Sequence, residues 1–151
     1  MIELGYGDGE LPRMRLLRTI GRVEILYDHH RPSAIGDRQL DYEPSGGRRL
    51  VRIGDQDIRY RIWMGTVKQL GGWQVRYGPV VPLLRRIGPF PVERRGPWFR
   101  PSRVGPATLG YEPGERDPRT VVVPPPADLS DDLVLAVAFS LLEHLWRPTG
   151  G

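Results

Sequence analysis

The residues best suited to chemistry in this chain are arginines, and they concentrate between Arg76 and Arg103. Seven arginines lie in this stretch against a single acid, Glu93. A guanidinium group is planar and binds phosphate or carboxylate oxygens through paired hydrogen bonds. The stretch therefore predicts a binding surface for an anionic partner. The predicted ligand-binding residues are Arg76, Arg85, Arg86, Arg94, Arg95, Arg100, Arg103 and Trp98.

Aromatic residues interleave with these arginines. Such rings insert at a lipid interface or stack on the bases of a nucleic acid. The aromatic neighbours in question are Tyr77, Phe90, Trp98 and Phe99. The same pattern thus indicates either a phospholipid surface or a nucleic acid as the partner.

Composition offers a third interpretation of the arginines. The chain has 21 arginines but a single lysine, Lys68, and no asparagine. This bias is typical of a GC-rich genome. Under that interpretation the arginines occupy only the solvent-facing sides of strands.

The remaining polar residues predict no metal site. The chain has no cysteine, which excludes disulfides, thiolate metal ligands and cysteine nucleophiles. His29 and His30 are adjacent, so on a strand they point to opposite faces, and no third ligand lies nearby in the sequence. His144 fits the end of a helix. The acidic loops at 55–57 and 112–117 lack the ligand spacing of a calcium-binding EF-hand loop.

Motifs of enzymes are absent as well. The glycines of residues 5–9 follow no strand and precede no Gly-Lys-Ser/Thr, so they form no phosphate-binding loop. The chain has neither a Gly-x-Ser-x-Gly nucleophile elbow nor a His-Glu-x-x-His zinc motif. We therefore predict a protein that is not an enzyme, with no catalytic residue and no cofactor.

The elements that must position the arginines are short strands. Runs rich in β-branched and aromatic residues are ended by Gly, Pro or Asp about every ten residues, which is typical of a sandwich or barrel. In one run Ile58, Tyr60 and Ile62 alternate with arginines, so one face is apolar and the other polar. Gly54-Asp55-Gln56-Asp57 is a candidate hairpin connection, and Gly71-Gly72 supplies residues that tolerate positive φ.

The C-terminal part predicts a helix from about residue 131 to 146. Asp128 or Ser130 can cap it, and Asp131 and Asp132 suit its first turn. Apolar residues cover all sides of this segment, so protein must enclose it. The longest apolar run, residues 133–142, is too short to span a bilayer, which needs about 20 residues.

Together these elements predict a mainly β fold. We expect a compact antiparallel barrel of about 10–12 short strands enclosing the helix, as one domain over residues 1–151, with a flexible N-terminal segment at 1–12. The tripeptide Tyr42-Glu43-Pro44 recurs as Tyr111-Glu112-Pro113. Turn chemistry at strand ends accounts for both copies, although a duplicated half-barrel also would.

The C-terminal part of the chain resembles a known protein family. Residues 119–129, followed by the segment from Ser130 to Trp146, resemble the last strand, link and buried helix of the tubby C-terminal-like superfamily, which includes phospholipid scramblases and LURP-one-related proteins. The resemblance implies a barrel around a central helix and a surface for phosphoinositides or other anionic lipids. The cysteine cluster and terminal membrane segment associated with scramblases are missing, so it does not imply lipid scrambling.

We thus expect a non-enzymatic module that binds an anionic membrane phospholipid or an acidic protein. The alternatives are a nucleic-acid-binding barrel and a structural protein that forms a homo-oligomer. The oligomeric state stays open. The N-terminus carries an acid at Glu3 and lacks the basic and apolar regions of a secretion signal, so we expect a cytoplasmic protein that can associate peripherally with a membrane.

Overall fold

Short antiparallel strands account for most of the fold. The computed structural model describes residues 2–8, 15–28, 31–44, 49–61, 66–78, 83–96, 99–125 and 127–143. The strands are β1 (Ile2–Asp8), β2 (Arg15–Ile20), β3 (Val23–Asp28), β4 (Arg31–Ile35), β5 (Arg38–Tyr42), β6 (Leu50–Ile53), β7 (Gln56–Tyr60), β8 (Val67–Leu70), β9 (Trp73–Tyr77), β10 (Leu84–Ile87), β11 (Phe90–Arg95), β12 (Arg100–Val104), β13 (Ala107–Gly110) and β14 (Thr120–Val122). One helix, α1 (Asp131–Leu142), follows them.

The strands form a closed barrel. Each pairs antiparallel with its neighbours in sequence, and β1 pairs with β14 to complete the ring. Closure leaves no sheet edge exposed. The predicted fold class, a mainly β barrel with a C-terminal helix, is confirmed.

The number of strands exceeds the expected 10–12, since the described residues form fourteen. Some of these strands are not predicted by their sequence. In β4 and β12 a proline, Pro32 or Pro101, occupies the second position, and a proline within a run argues against a strand. Both prolines are nevertheless buried in the wall.

The N-terminal segment corrects our expectation. Residues 2–8 form β1, which pairs with β14 on one side and β2 on the other, rather than a flexible tail. The rest of the segment, residue 1 and residues 9–12, lies outside the described residues. Leu4 is buried in the core, and its backbone N–H donates to the Arg119 carbonyl over 2.9 Å. The first strand is therefore needed to close the barrel.

The helix begins as predicted. Ser130 is its N-cap, and the Ser130 hydroxyl accepts from the Leu133 N–H over 3.2 Å. Asp131 and Asp132 lie in the first turn. The helix ends at Leu142 with Glu143 as its C-cap, and the expected extension to 146 lies outside the described residues.

The helix fills the barrel. Leu135, Val137 and Phe139 have no exposed surface, and they belong to one core cluster with inward side chains of the strands. Near its start Asp132 lies 3.8 Å from Arg38, directly after a hairpin turn. At its end the Glu143 carboxylate accepts from the Tyr77 hydroxyl at the opposite end of the barrel. The helix therefore runs along the barrel from one end to the other.

The wall is built from six equivalent hairpins and one further antiparallel strand pair, which we call units 1 to 7. Units 1 to 6 pair β2 with β3, β4 with β5, β6 with β7, β8 with β9, β10 with β11, and β12 with β13; unit 7 joins β14 to β1 across the chain ends. In units 1 to 6 a two-residue turn begins with a glycine at positive φ. These glycines are Gly21, Gly36, Gly54, Gly71, Gly88 and Gly105. All six turns lie at one end of the barrel, the turn end; the connections between units lie at the other, the loop end.

Each complete unit repeats one sequence pattern around its glycine. The residues one before and four after the glycine are buried and apolar, as Ile20 and Ile25 show for Gly21. Six residues after the glycine, four units place a tyrosine whose hydroxyl donates to the carbonyl ten residues earlier, over 2.5–2.7 Å; these are Tyr27, Tyr42, Tyr60 and Tyr111. Unit 7 has Tyr6, which donates to the Pro118 carbonyl over 2.7 Å.

This pattern accounts for the repeated Tyr-Glu-Pro. Tyr42 and Tyr111 occupy the same position in units 2 and 6. The repeated element is thus one hairpin, not half a barrel.

Candidate anion-binding surface

Positive charge is concentrated in one part of the barrel wall, residues 58–111, which we call the arginine sector. It holds ten basic residues and one acid, a net charge of +9, whereas residues 1–57 sum to −1 and residues 112–151 to −4. The sector extends from the end of β7 through β13. The chain's net charge of +4 therefore hides a strong asymmetry around the barrel.

Several arginines outside the sector are paired with acids, namely Arg38, Arg49, Arg52 and Arg119. Arg52 on β6 lies 2.9 Å from the Asp57 carboxylate on β7, its partner in register. Arg119 makes a bidentate contact with Glu115, over 2.6 and 2.8 Å. In these parts of the wall, arginine serves an ordinary structural role.

Arg76 and Arg86 form the clearest departure from that behaviour. They lie directly opposite one another on β9 and β10, and both are exposed. Like charges in this position destabilise a sheet. Arg76 donates to the Gln74 side chain over 3.4 Å, and among the described residues no carboxylate lies within 4.0 Å of either guanidinium group. An anion between them would relieve the repulsion.

Three further predicted residues share this exposed surface. Arg85 precedes Arg86, and Arg95 ends β11. Arg103 lies on β12 opposite Glu93. Arg95 also faces another arginine, since its partner in register is Arg100. The structure thus brings together five of the eight predicted residues as exposed cations on β9–β12.

The structure places Arg94 differently from these five arginines. Its side chain is only 15% exposed. Nε donates to the Leu84 carbonyl over 3.1 Å, Nη1 donates to the Phe99 carbonyl over 2.8 Å, and Nη2 lies 3.7 Å from Glu143 Oε1. Arg94 is therefore part of the protein's own interior network rather than the exposed surface.

Arg100 is also engaged by the protein. Its guanidinium group stacks on the Tyr111 ring, 3.9 Å from the ring centroid, and Nη1 donates to the Glu115 carbonyl. Similar stacks join Arg31 to Tyr42 and Arg49 to Tyr60 in other units. Its contribution to ligand binding is correspondingly restricted. Trp98, the remaining predicted residue, lies outside the described residues.

Burial favours the neutral form of three tyrosines that donate to carbonyls, Tyr27, Tyr60 and Tyr111. Burial raises the pKa of Tyr111 to about 12, and the positive charge of Arg100 opposes part of that rise. Burial likewise raises the pKa of Tyr27 and of Tyr60. A neutral hydroxyl keeps the proton that each tyrosine donates to its carbonyl.

The aromatic neighbours of the arginines divide into two groups. Tyr77 donates to the Glu143 carboxylate over 2.7 Å, and Phe90 packs edge-on against Trp73 with ring centroids 5.8 Å apart. Both are partly buried against the core. Phe99, in contrast, is 62% exposed. Of the interleaved aromatics that the structure describes, Phe99 alone is available to a partner.

Glu143 is the site residue that the sequence reasoning missed. Its side chain is 8% exposed and meets both Tyr77 and Arg94 at the loop end. A signal existed: tyrosine follows the turn glycine by six positions in units 1 to 4 and 6, whereas unit 5 has Arg94 there. Such a break in a repeat marks a position with a special contact.

The described residues contain no group of three or more His, Asp or Glu side chains placed to hold a metal ion. His29, His30 and His144 lie outside the described residues. No described helix has the length and apolar character needed to cross a membrane.

Comparison with known proteins gives one partial similarity. No family model matches the chain, and no solved structure matches it. A curated relative, a probable trehalose-phosphate phosphatase of Sinorhizobium fredii (strain NBRC 101917 / NGR234), is 40% identical over 52 residues. That match covers 34% of this chain, and the chain covers 19% of the relative's length.

Proposed function

We propose that the protein is a non-enzymatic module that binds anionic membrane phospholipids through the arginine sector. The observation that carries this proposal is the exposed pair Arg76 and Arg86, placed opposite one another on adjacent strands without a described carboxylate nearby. Arg85, Arg95 and Arg103 extend the same surface. Guanidinium groups arranged in this way suit phosphate oxygens of several headgroups at once.

The lipid is favoured over a nucleic acid by the aromatic residues. A single-stranded nucleic acid gains affinity from several bases stacked on exposed rings. Tyr77 and Phe90 are both committed to contacts within the protein, which leaves Phe99 as the exposed ring among those described. One exposed ring beside arginines suits insertion at a membrane interface.

Sedimentation with vesicles tests the proposal. The protein is expected to sediment with vesicles of phosphatidylcholine and phosphatidylserine but not with phosphatidylcholine alone. A variant with Arg76, Arg85, Arg86 and Arg103 changed to Ala should stay in the supernatant although thermal unfolding shows that it is still folded at the assay temperature. Equal sedimentation of this variant and the wild type would refute the proposal. Displacement from the vesicles by RNA would favour the nucleic-acid alternative instead.

The partial relative is named a phosphatase, so phosphatase activity is tested separately. Release of phosphate from a phosphomonoester such as p-nitrophenyl phosphate by the purified protein would contradict a non-enzymatic role. The four-arginine variant serves as the control, since a contaminating phosphatase would act equally in both preparations.

A further inference from the structure

The connection between β11 and β12 presents an apolar side chain in an unusual backbone conformation. Among the described large hydrophobic residues Phe99 is the most exposed, at 62%. Its φ is 48°, in the left-handed region that bulky residues rarely adopt. A residue keeps such a conformation only when its surroundings hold it there.

The surroundings that hold Phe99 are identifiable. The Phe99 N–H donates to the Gly96 carbonyl over 3.2 Å, which closes the turn. The Phe99 carbonyl accepts from Arg94 Nη1 over 2.8 Å. Arg94 is itself restrained by the Leu84 carbonyl and by the Glu143 carboxylate. A chain of contacts therefore links the end of the central helix to the backbone of an exposed phenylalanine.

The choice of arginine at position 94 fits this role. The equivalent tyrosine in other units, such as Tyr60 in unit 3, donates to the carbonyl ten residues earlier. A tyrosine hydroxyl has one proton to donate, whereas a guanidinium group has five N–H donors. Arg94 makes the same bond to Leu84 and uses its further donors for Phe99 and Glu143.

The charges beside the loop indicate what Phe99 meets. Arg95 and Arg100 bracket the loop as partners in register, and the arginine sector around them contains a single acid. We propose that Phe99 inserts into the interface of an anionic bilayer and that Arg94 is the residue that positions it. This inference rests on the proposed lipid-binding function and names the residue that enters the lipid.

The absence of cysteine in the natural chain allows a site-specific test. F99C labelled with the environment-sensitive dye NBD should show a blue-shifted and brighter emission on vesicles of phosphatidylcholine and phosphatidylserine. The matched control is L26C, because Leu26 is 51% exposed on β3, outside the arginine sector. Its labelled emission should not change.

The outcomes separate the two proposals. Unchanged emission at position 99 in protein that sediments with the vesicles would overturn the anchor and leave lipid binding intact. No sedimentation of the wild type would overturn lipid binding itself. An emission shift at position 99 with polyglutamate but not with vesicles would refute a lipid as the partner and favour an acidic protein.

A second variant tests the positioning role of Arg94 in the F99C background. R94Y restores the tyrosine of the other units and its bond to the Leu84 carbonyl, but it cannot hold Phe99. At saturating vesicle concentration the emission shift should be at least halved, whereas R22Y, which removes the same charge from an exposed turn position outside the arginine sector, should retain it. R94K, which keeps a cation beside Glu143, should also lose the shift and replaces R94Y if that variant does not fold. A full shift in the folded Arg94 variant would refute the positioning role.

Discussion

Gly88 shows how tightly single residues are constrained at the turn end. It opens the hairpin turn of unit 5 at a φ of +58°, and a Cβ atom there would lie 2.5 Å from Cγ of Trp73. We expect the backbone strain of G88A to destabilise the barrel by about 1–3 kcal/mol. The clash with Trp73 should add to this loss. Urea unfolding followed by circular dichroism measures this change.

Gly72 provides the matched control. It is the second residue of the turn in unit 4, and a Cβ atom there would meet nothing within 4 Å. G72A should therefore leave the urea midpoint almost unchanged. Equal effects of the two substitutions would show that neither the positive φ of Gly88 nor its contact with Trp73 constrains this position.

At the scale of single residues, the sequence indicated which arginines belong to the candidate surface better than it indicated the role of each one. It singled out the cations of the arginine sector, and five of them are exposed as a binding surface requires. It could not separate Arg94 from Arg95, because adjacent arginines look alike until the fold directs one toward Glu143 and the other to solvent. Only the repeat in the sequence, read position by position, distinguishes Arg94.

The helix is the element on which the core depends. Leu135 lies at its centre with no exposed surface. Truncation of a fully buried leucine to alanine costs about 2–5 kcal/mol, so L135A should lower the free energy of unfolding by that amount. L135D places an unpaired charge in the core and should prevent folding. A folded L135D would contradict the enclosure of the helix, while L26D, on the exposed surface, should fold normally.

The helix was predictable because its signal is local. Apolar residues on every side, an N-cap at Ser130 and acids in the first turn all lie within one short segment. Strand pairing is a long-range property, so the alternating runs predicted a barrel but could not fix the number of strands. Three strands, β4, β11 and β12, have a proline at the second position and are held by their neighbours in the wall rather than by their own propensity.

The whole barrel depends on a strand from each end of the chain. Since β1 supplies half of unit 7, deletion of residues 1–8 should expose the edges of β2 and β14 and cause unfolding or aggregation. Size-exclusion chromatography and circular dichroism would show the change. E3Q, at an exposed position of β1, should behave as the wild type. A monomeric truncated protein with unchanged thermal unfolding would contradict this role of β1.

The buried tyrosines of the hairpin units should make the protein less stable at strongly alkaline pH. Burial raises the pKa of Tyr111 to about 12 in the folded protein, whereas an unfolded tyrosine ionises near pH 10. Tyr111 therefore stays protonated to a higher pH in the folded protein than in the unfolded chain. The associated stabilisation is complete below about pH 10 and is lost as the pH rises through about 12. The urea midpoint should fall over this interval, less so in Y111F, and an equal fall in both proteins would assign it to other groups.

The most direct test of the central claim compares vesicle binding by two variants of equal net charge. R76A/R86A removes the like-charged pair of the arginine sector, and R22A/R52A removes two exposed arginines elsewhere. At about 1 kcal/mol for each arginine near the membrane, the first variant should bind phosphatidylserine-containing vesicles roughly 30-fold more weakly, with the second close to wild type. Equal weakening of both would show that binding follows overall charge and would contradict a specific surface on β9–β12.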